Sequence, residues 1–275
     1  MSVPDGARCD PCGRPRFDRD LTIARHIAQN DDDVSRSRTL GIILSMNEAT
    51  ARAEICRIGK SLFQRGYVHA TAGNISVQLQ ASDGGGFLIT PTDACLGFLE
   101  PERLARLDKD GRQLNGDRAS KTIALHRRIY AASATTTAPA GCVIHTHSTH
   151  CVATTIAGPV CDTAQGRELL PALTPYFVMK VGHVPLIDYQ RPGASESADQ
   201  VEAAIARYHA AGTPIRAVML ERLGPNVWHD TPAAAMAVLE ELEETARLRM
   251  LAPAASTPLS DAQIEQLRQV FQAVW

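Results

Sequence analysis

Apolar residues along the chain follow two rhythms, one helical and one extended, and the switches between them mark out the elements. From Asn47 onward Ala51, Ile55, Ile58 and Leu62 recur at helical spacing and stop at Gly66, a residue suited to the left-handed turn that ends a helix. Ile75, Val77 and Leu79 then alternate as on a half-buried strand, and Phe87-Leu88-Ile89, after Gly84-Gly85-Gly86, is expected to return as its hairpin partner. A helix is expected over about 121–132, ahead of a β-branched run that ends in Cys142-Val143-Ile144-His145-Thr146-His147-Ser148-Thr149-His150. Another strand is expected at 217–220. Thr231 followed by Pro232 forms an N-cap with proline in the first turn, opening a long amphipathic helix with Ala235, Leu239, Leu242 and Ala246 inward, and Ser260-Asp261 caps a last helix. Helices interleaved with strands, without a glycine-rich dinucleotide loop, predict an α/β sandwich with a largely antiparallel sheet.

The first 45 residues break this rhythm. They carry Cys9-Asp-Pro-Cys12, several Arg and Asp and the run Asn30-Asp31-Asp32-Asp33, with little periodic apolar content, so a mobile extension is expected there, followed by one domain over 46–275. No second pair of Cys or His follows the C-x-x-C closely, which favours a plain tail over a zinc knuckle. With 275 residues, 44% hydrophobic and 21% charged, the chain can bury a full core. A formal charge of −2 with no basic stripe gives no electrostatic support for nucleic-acid or membrane binding, and small-molecule chemistry is the expectation. No apolar run approaches the roughly 18 residues needed to span a bilayer. The N-terminal segment lacks the apolar core of a secretory signal, and seven scattered cysteines suit reduced thiols, so a cytoplasmic protein is expected.

Chemistry concentrates in three places. His145 and His147, at i and i+2 of the β-branched run, are placed to present two imidazoles to one cation, with His150 just beyond. A single histidine is usually an ordinary residue; the H-x-H-x-x-H spacing after a strand raises the metal assignment above that. Gly73-Asn74-Ile75-Ser76 and Thr90-Pro91-Thr92-Asp93 add two loops rich in small hydroxyl and amide donors, which with free backbone N–H groups can hold a phosphate without a basic patch. Either loop alone would pass as turn chemistry.

From about Asn47 to the C-terminus the chain resembles the class II aldolase and adducin-head family, whose members include L-fuculose-1-phosphate aldolase and L-ribulose-5-phosphate 4-epimerase. The resemblance rests on an ordered series: Thr71-Ala72-Gly73-Asn74-Ile75-Ser76, Ile89-Thr90-Pro91-Thr92, Ser120 ahead of a helix carrying His126, the His-x-His, a Leu223-Gly224-Pro225 turn, and a long helix with Glu240-Glu241-Leu242-Glu243-Glu244. Ser120-Lys121, the segment from Leu173 to Gly182 and Tyr189-Gln190-Arg191-Pro192-Gly193 look like the branch that decarboxylates 3-oxo-tetronate 4-phosphates. The resemblance implies a three-layer α/β/α sandwich. It also implies a lyase in which a divalent metal, zinc foremost with manganese or cobalt as alternatives, stabilises an enediolate left after bond cleavage. In such an enzyme His145 and His147 hold the metal, and Asn74, Thr92 and Ser120 grip the phosphate. Lys121 adds a charge to phosphate or carboxylate, and Tyr176 reaches from a neighbouring subunit of a homotetramer into a shared cleft.

Two positions depart from the family pattern. The acid/base Glu expected four residues before the helix histidine is Thr122, and the third metal histidine, normally in an Asn-His-Gly-Pro turn, is Leu223. His150 and Glu221 are the replacement ligands that the sequence offers. The departures leave open an impaired paralogue that keeps the fold as a binding or regulatory subunit, with a sugar-phosphate aldolase as a third alternative.

Overall fold

The computed structural model describes residues 47–157, 161–252 and 257–275. The expected extension with Cys9 and Cys12 lies outside the described residues. Helix α1, Glu48–Gln64, starts where the side chain of Asn47 accepts the Thr50 N–H at 2.9 Å, and its buried stripe contains Ala51, Ile55, Ile58 and Leu62 as expected. Strands β1 (Asn74–Gln78) and β2 (Phe87–Ile89) form the expected hairpin, with Val77 opposite Leu88. Two short strands follow, β3 (Ala105–Leu107) and β4 (Gln113–Asn115).

Helix α2 spans Ile123–Ser133, two residues later than the periodicity suggested. The approach is a tighter turn: Ile123 N–H donates to the Ser120 carbonyl and Ala124 N–H to that of Lys121, and the first regular helical bond is His126 N–H to Thr122 O. Ser120 and Lys121 therefore sit on the turn before the helix. Strand β5 is Cys142–His145, so His147 lies past the strand end, in the loop entering α3 (Thr149–Ile156).

The remaining elements are β6 (Cys161–Thr163), β7 (Gly166–Glu168), a π-helical turn at Phe177–Val181, β8 (Leu186–Ile187), α4 (Ser195–Ala210), β9 (Ala217–Leu220), β10 (Gly224–His229), α5 (Pro232–Leu251) and α6 (Asp261–Phe271). Both expected caps are present. Thr231 accepts from Ala234 N–H, and Ser260 and Gln263 form a reciprocal capping box.

Eight strands form one sheet in the order β4-β3-β2-β1-β5-β10-β9-β8, antiparallel throughout except for the β8–β9 pair, while β6 and β7 pair separately. One face packs Ile75, Val77, Ile144 and Val227 against α1 and α5 through Ile55, Ile58, Leu239 and Leu242. The other packs Val143, Val218 and Trp228 against α2 and α4 through Ile129, Tyr130, Val201, Ile205 and Tyr208. The expected three-layer sandwich is thus present, and burial on both faces explains why β5 has no polar alternation except at its end. A fully buried apolar side chain contributes about 1.5–3 kcal/mol, so these two layers supply the stabilisation that holds the central strands in register.

Gly224, where β10 begins, has φ 146°, and a Cβ there would lie 1.9 Å from the Thr146 carbonyl oxygen. Only glycine lets β10 approach β5 this closely. Gly224→Ala should cost on the order of 2–4 kcal/mol through strain and steric overlap. A fall in the urea midpoint of the purified variant checks this; an unchanged midpoint would remove the close-approach account.

Candidate functional site

The site grows from the register of three central strands. His145 at the end of β5 stands directly opposite Asn74 of β1 on one side and Asn226 of β10 on the other. Opposite residues of antiparallel strands share a face, so the imidazole lies between two carboxamides on the side covered by α2. Ser76, two residues along β1, shares that face. Its hydroxyl links Nδ1 of His126 at 2.7 Å with the Tyr130 hydroxyl at 2.8 Å, both side chains coming from α2.

His145 donates through Nδ1 to the Pro225 carbonyl at 2.9 Å, which fixes the tautomer and leaves Nε2 as a free lone pair, the form a metal ligand needs. Burial pushes its pKa down to about 4, with His147 adding to the shift. His147 lies half-buried with its ring centroid 5.0 Å from that of His145; its pKa is lowered by burial and by His69, whose ring stands edge-on at 6.4 Å. The i, i+2 spacing thus brings the two imidazoles together even though His147 has left the strand. His126 is fully buried, and its pKa is driven down to about 3 by burial and by the neighbouring His145.

The two hydroxyl-rich loops meet beside this row. Ile75 N–H donates to the Thr90 side chain at 3.2 Å, Ser120 N–H to the Thr90 carbonyl at 3.2 Å, and Thr92 N–H to the Arg118 carbonyl at 2.8 Å. Asn74 Nδ2 reaches the Thr122 hydroxyl at 3.3 Å. Asn74 and Ser120 are thus linked through Thr122, whose N–H donates to the Ser120 hydroxyl at 3.4 Å, while Thr92 is tied by its backbone to Arg118 and Lys121 is exposed. The Thr90 hydroxyl is committed to the backbone. Tyr176, 62% exposed, leads into the π-helical turn away from these strands.

Each replacement ligand is held by a partner that turns it to another part of the molecule, His150 lining a pocket with Arg65, Tyr67, Glu243 and Arg247. The Glu243 carboxylate holds His150 twice, at its backbone N–H (2.9 Å) and at Nδ1 (2.8 Å), and also accepts the Cys151 N–H, capping α3 with a buried negative charge. Glu221 accepts from the Tyr189 N–H at 3.0 Å. Leu223 packs against the apolar cluster under α2 and α4. Among the described residues no three His, Cys, Asp or Glu side chains stand in ligating geometry as they are placed, so two imidazoles fit a cation and a third protein donor is not in position. Several of the buried polar atoms without a protein partner among the described residues belong to the residues around His145, namely Asn74 Oδ1, His126 Nε2 and both amide atoms of Asn226. Leaving such an atom unpaired costs about 1–3 kcal/mol, which points to water or ligand atoms as their partners. Sequence reasoning missed Asn226 and His69; the signal for each was a polar residue beside a recognised motif.

Residues 53–250 match the family of the class II aldolase and adducin N-terminal domain, and the chain belongs to that family. A 3-oxo-tetronate 4-phosphate decarboxylase from Cupriavidus necator is 48% identical over 233 residues, covering 83% of this chain and 99% of the relative. One from Escherichia coli is 36% identical over 201 residues, covering 73% of this chain and 86% of the relative. Among solved structures, YgbL from Escherichia coli superposes with a TM-score of 0.68 at 34% identity, covering 80% of this chain and 99% of that one. An L-fuculose 1-phosphate aldolase shares the fold with a TM-score of 0.63 at 22% identity, covering 81% of this chain and 96% of that one.

The buried imidazoles make stability pH-dependent. Unfolded, each titrates near 6.5; folded, His126 titrates near 3 and His145 near 4, so between these values the unfolded chain binds more protons. Their contribution is complete above about pH 6.5 and is lost as pH falls toward 4, by on the order of 3 kcal/mol per group. Metal-free protein should show a steeply falling urea midpoint from about pH 7 to pH 5, and His126→Gln should flatten that slope by about one proton's share.

Proposed function

We propose that this chain is a metal-dependent 3-oxo-tetronate 4-phosphate decarboxylase. The observation that carries this is the register that stands Asn74 opposite His145, which supports reading the amide and hydroxyl loops as a phosphate rim beside a pair of neutral imidazoles. The 48% identity to a decarboxylase over nearly its whole length supports the same conclusion. The alternative of an impaired, non-catalytic paralogue has no support from the relatives.

His145 and His147 would hold the cation, most suitably zinc, with manganese or cobalt also compatible with imidazole donors. Such a cation, when bound, supplies a Lewis acid for the oxygen that takes up charge as carbon dioxide leaves. The side chains of Asn74, Thr92 and Ser120 grip the phosphate, and Lys121 neutralises phosphate or carboxylate charge. Held at both ends, the substrate breaks the bond between its carboxylate and the adjacent carbon. Carbon dioxide departs, the electron pair moves toward the neighbouring carbonyl, and a proton returned to that carbon gives dihydroxyacetone phosphate. Lys121 and Tyr176 are the proton-bearing side chains we assign to this step.

The residue at 122 favours decarboxylation over aldol cleavage. Aldol cleavage must begin by taking a proton from a hydroxyl, a task for a general base, whereas a 3-oxo acid enters already deprotonated and needs only an electron sink and a later proton. Position 122 offers a hydroxyl. Among the described residues no carboxylate is hydrogen-bonded to His126, His145 or His147.

Purified protein supplied with zinc, manganese or cobalt should release carbon dioxide from a 3-oxo-tetronate 4-phosphate and leave L-fuculose 1-phosphate uncleaved; the reverse pattern would make it an aldolase. Ser120→Ala should raise KM about 10- to 100-fold, the loss of one hydrogen bond to a charged group.

The catalytic unit we propose is 46–275, working in the cytoplasm as a homotetramer in which Tyr176 serves a neighbouring cleft. Among the described residues no helix is long and apolar enough to cross a membrane. Light scattering should give a mass near four times 29.7 kDa, with assembly unchanged in proportion after deletion of residues 1–45. A monomer at micromolar concentration would remove the shared cleft.

A further inference from the structure

Two imidazoles leave a catalytic cation one protein ligand short of the usual three. Leu223 has no donor, His150 lines a different pocket with Arg65, Tyr67, Glu243 and Arg247, and Glu221 holds the Tyr189 N–H through one oxygen. His126 keeps an unpaired Nε2, yet it is enclosed on all sides and its Nδ1 is tied to Ser76, so its ring has no freedom to turn toward His147.

His69 is different in each respect. Its ring is exposed, makes no hydrogen bond to any described residue, and stands edge-on to His147 with centroids 6.4 Å apart and planes at 76°. Two imidazoles bound tetrahedrally to one cation at about 2.0–2.1 Å per metal–nitrogen bond have centroids roughly 5 Å apart. The His145–His147 pair already meets that condition at 5.0 Å, while His69 stands 6.4 Å from His147 and would have to turn inward to meet it.

The loop carrying His69 is fastened to the same strand end. Ala72 N–H donates to the His69 carbonyl at 2.9 Å, and a Cβ on Gly73 would lie 2.9 Å from the His145 carbonyl oxygen, so the backbone after His69 packs directly against β5. Ala70 is held at φ 48°, a left-handed conformation that is unfavourable for a residue with a side chain. The surrounding contacts thus over-determine where the His69 backbone sits.

We infer that His69 is the third imidazole of the cation site, closing over the His145–His147 pair in place of the ligand missing at Leu223. The inference rests on the metal-dependent function proposed above, and its test reads the metal rather than turnover. Full-length protein is titrated with zinc and with cobalt, affinity is followed by calorimetry and cobalt absorption, and the bound imidazoles are counted by X-ray absorption fine structure. The native chain should show three imidazoles. His69→Ala should show two and bind zinc at least about 10-fold more weakly, with near-ultraviolet circular dichroism unchanged, since the side chain is exposed. His150→Ala should match the native chain.

Leu223→His added to His69→Ala should restore the third imidazole and the affinity. A three-imidazole shell retained in His69→Ala would overturn the assignment, as would loss of one imidazole in His126→Gln instead. Failure of the native chain to bind either ion would overturn it together with the metal-dependent reaction. Three imidazoles lost one at a time, in a protein that releases no carbon dioxide, would uphold the His69 ligand and remove the decarboxylase proposal alone.

Discussion

The antiparallel register of β1, β5 and β10 is the constraint on which the site depends. It places His145 between Asn74 and Asn226 on one face. A shift of one residue in either pairing would send the carboxamides to the opposite face, where α1 and α5 bury apolar side chains. Two apolar layers pin the register, because slippage would undo the fit of Ile75 and Ile144 against one helical layer and of Val143 and Trp228 against the other. The glycine at 224 then lets β10 close against the chain that carries Thr146 and His147, so packing far from the chemistry fixes its geometry.

Burial within this frame has an electrostatic consequence. Imidazoles taken out of water favour the neutral form, and those of His126 and His145 are shifted furthest. Neutral imidazole is the ligand form, so the desolvation that costs stability at low pH also keeps the pair ready to bind a cation at neutral pH. The carbonyl of Pro225 completes the arrangement by choosing which ring nitrogen stays free. The same burial strands several polar atoms without protein partners. Those of Asn74 and Asn226, the residues opposite His145, stand where ligand or water atoms can meet them.

Thr122 and Leu223 change what the family scaffold can do. With a hydroxyl where the family pattern has a carboxylate, the site lacks the base that hydroxyl deprotonation requires, but decarboxylation of a 3-oxo acid proceeds without that step. Leu223, turned into the apolar layer, removes a ligand without disturbing the fold. The loop before Asn74 is held by its backbone and by buried Val68, while the His69 side chain on it is exposed.

Much of this was legible in the sequence. The caps at Thr231-Pro232 and Ser260, the stripe of α1 and the β1–β2 hairpin follow from local spacing, because backbone geometry repeats every 2 or 3.6 residues and needs no distant partner, whereas His147 lies past the end of β5 and meets His145 through the path of the loop. Helix α4 was also within reach, since Val201, Ala204, Ile205 and Tyr208 keep helical spacing. Strands of two or three residues such as β3, β7 and β8 were not, being too short to show a period. Only the tertiary structure decided which side chains meet. Glu243 orients His150 across 93 residues in sequence, and Pro225 sets the tautomer of His145 across 80. The meeting of His69 with His147 likewise depends on how the loop before β1 folds over the end of β5. Periodicity states which face of an element is buried; the partner waiting on that face is set by the packing of the whole domain.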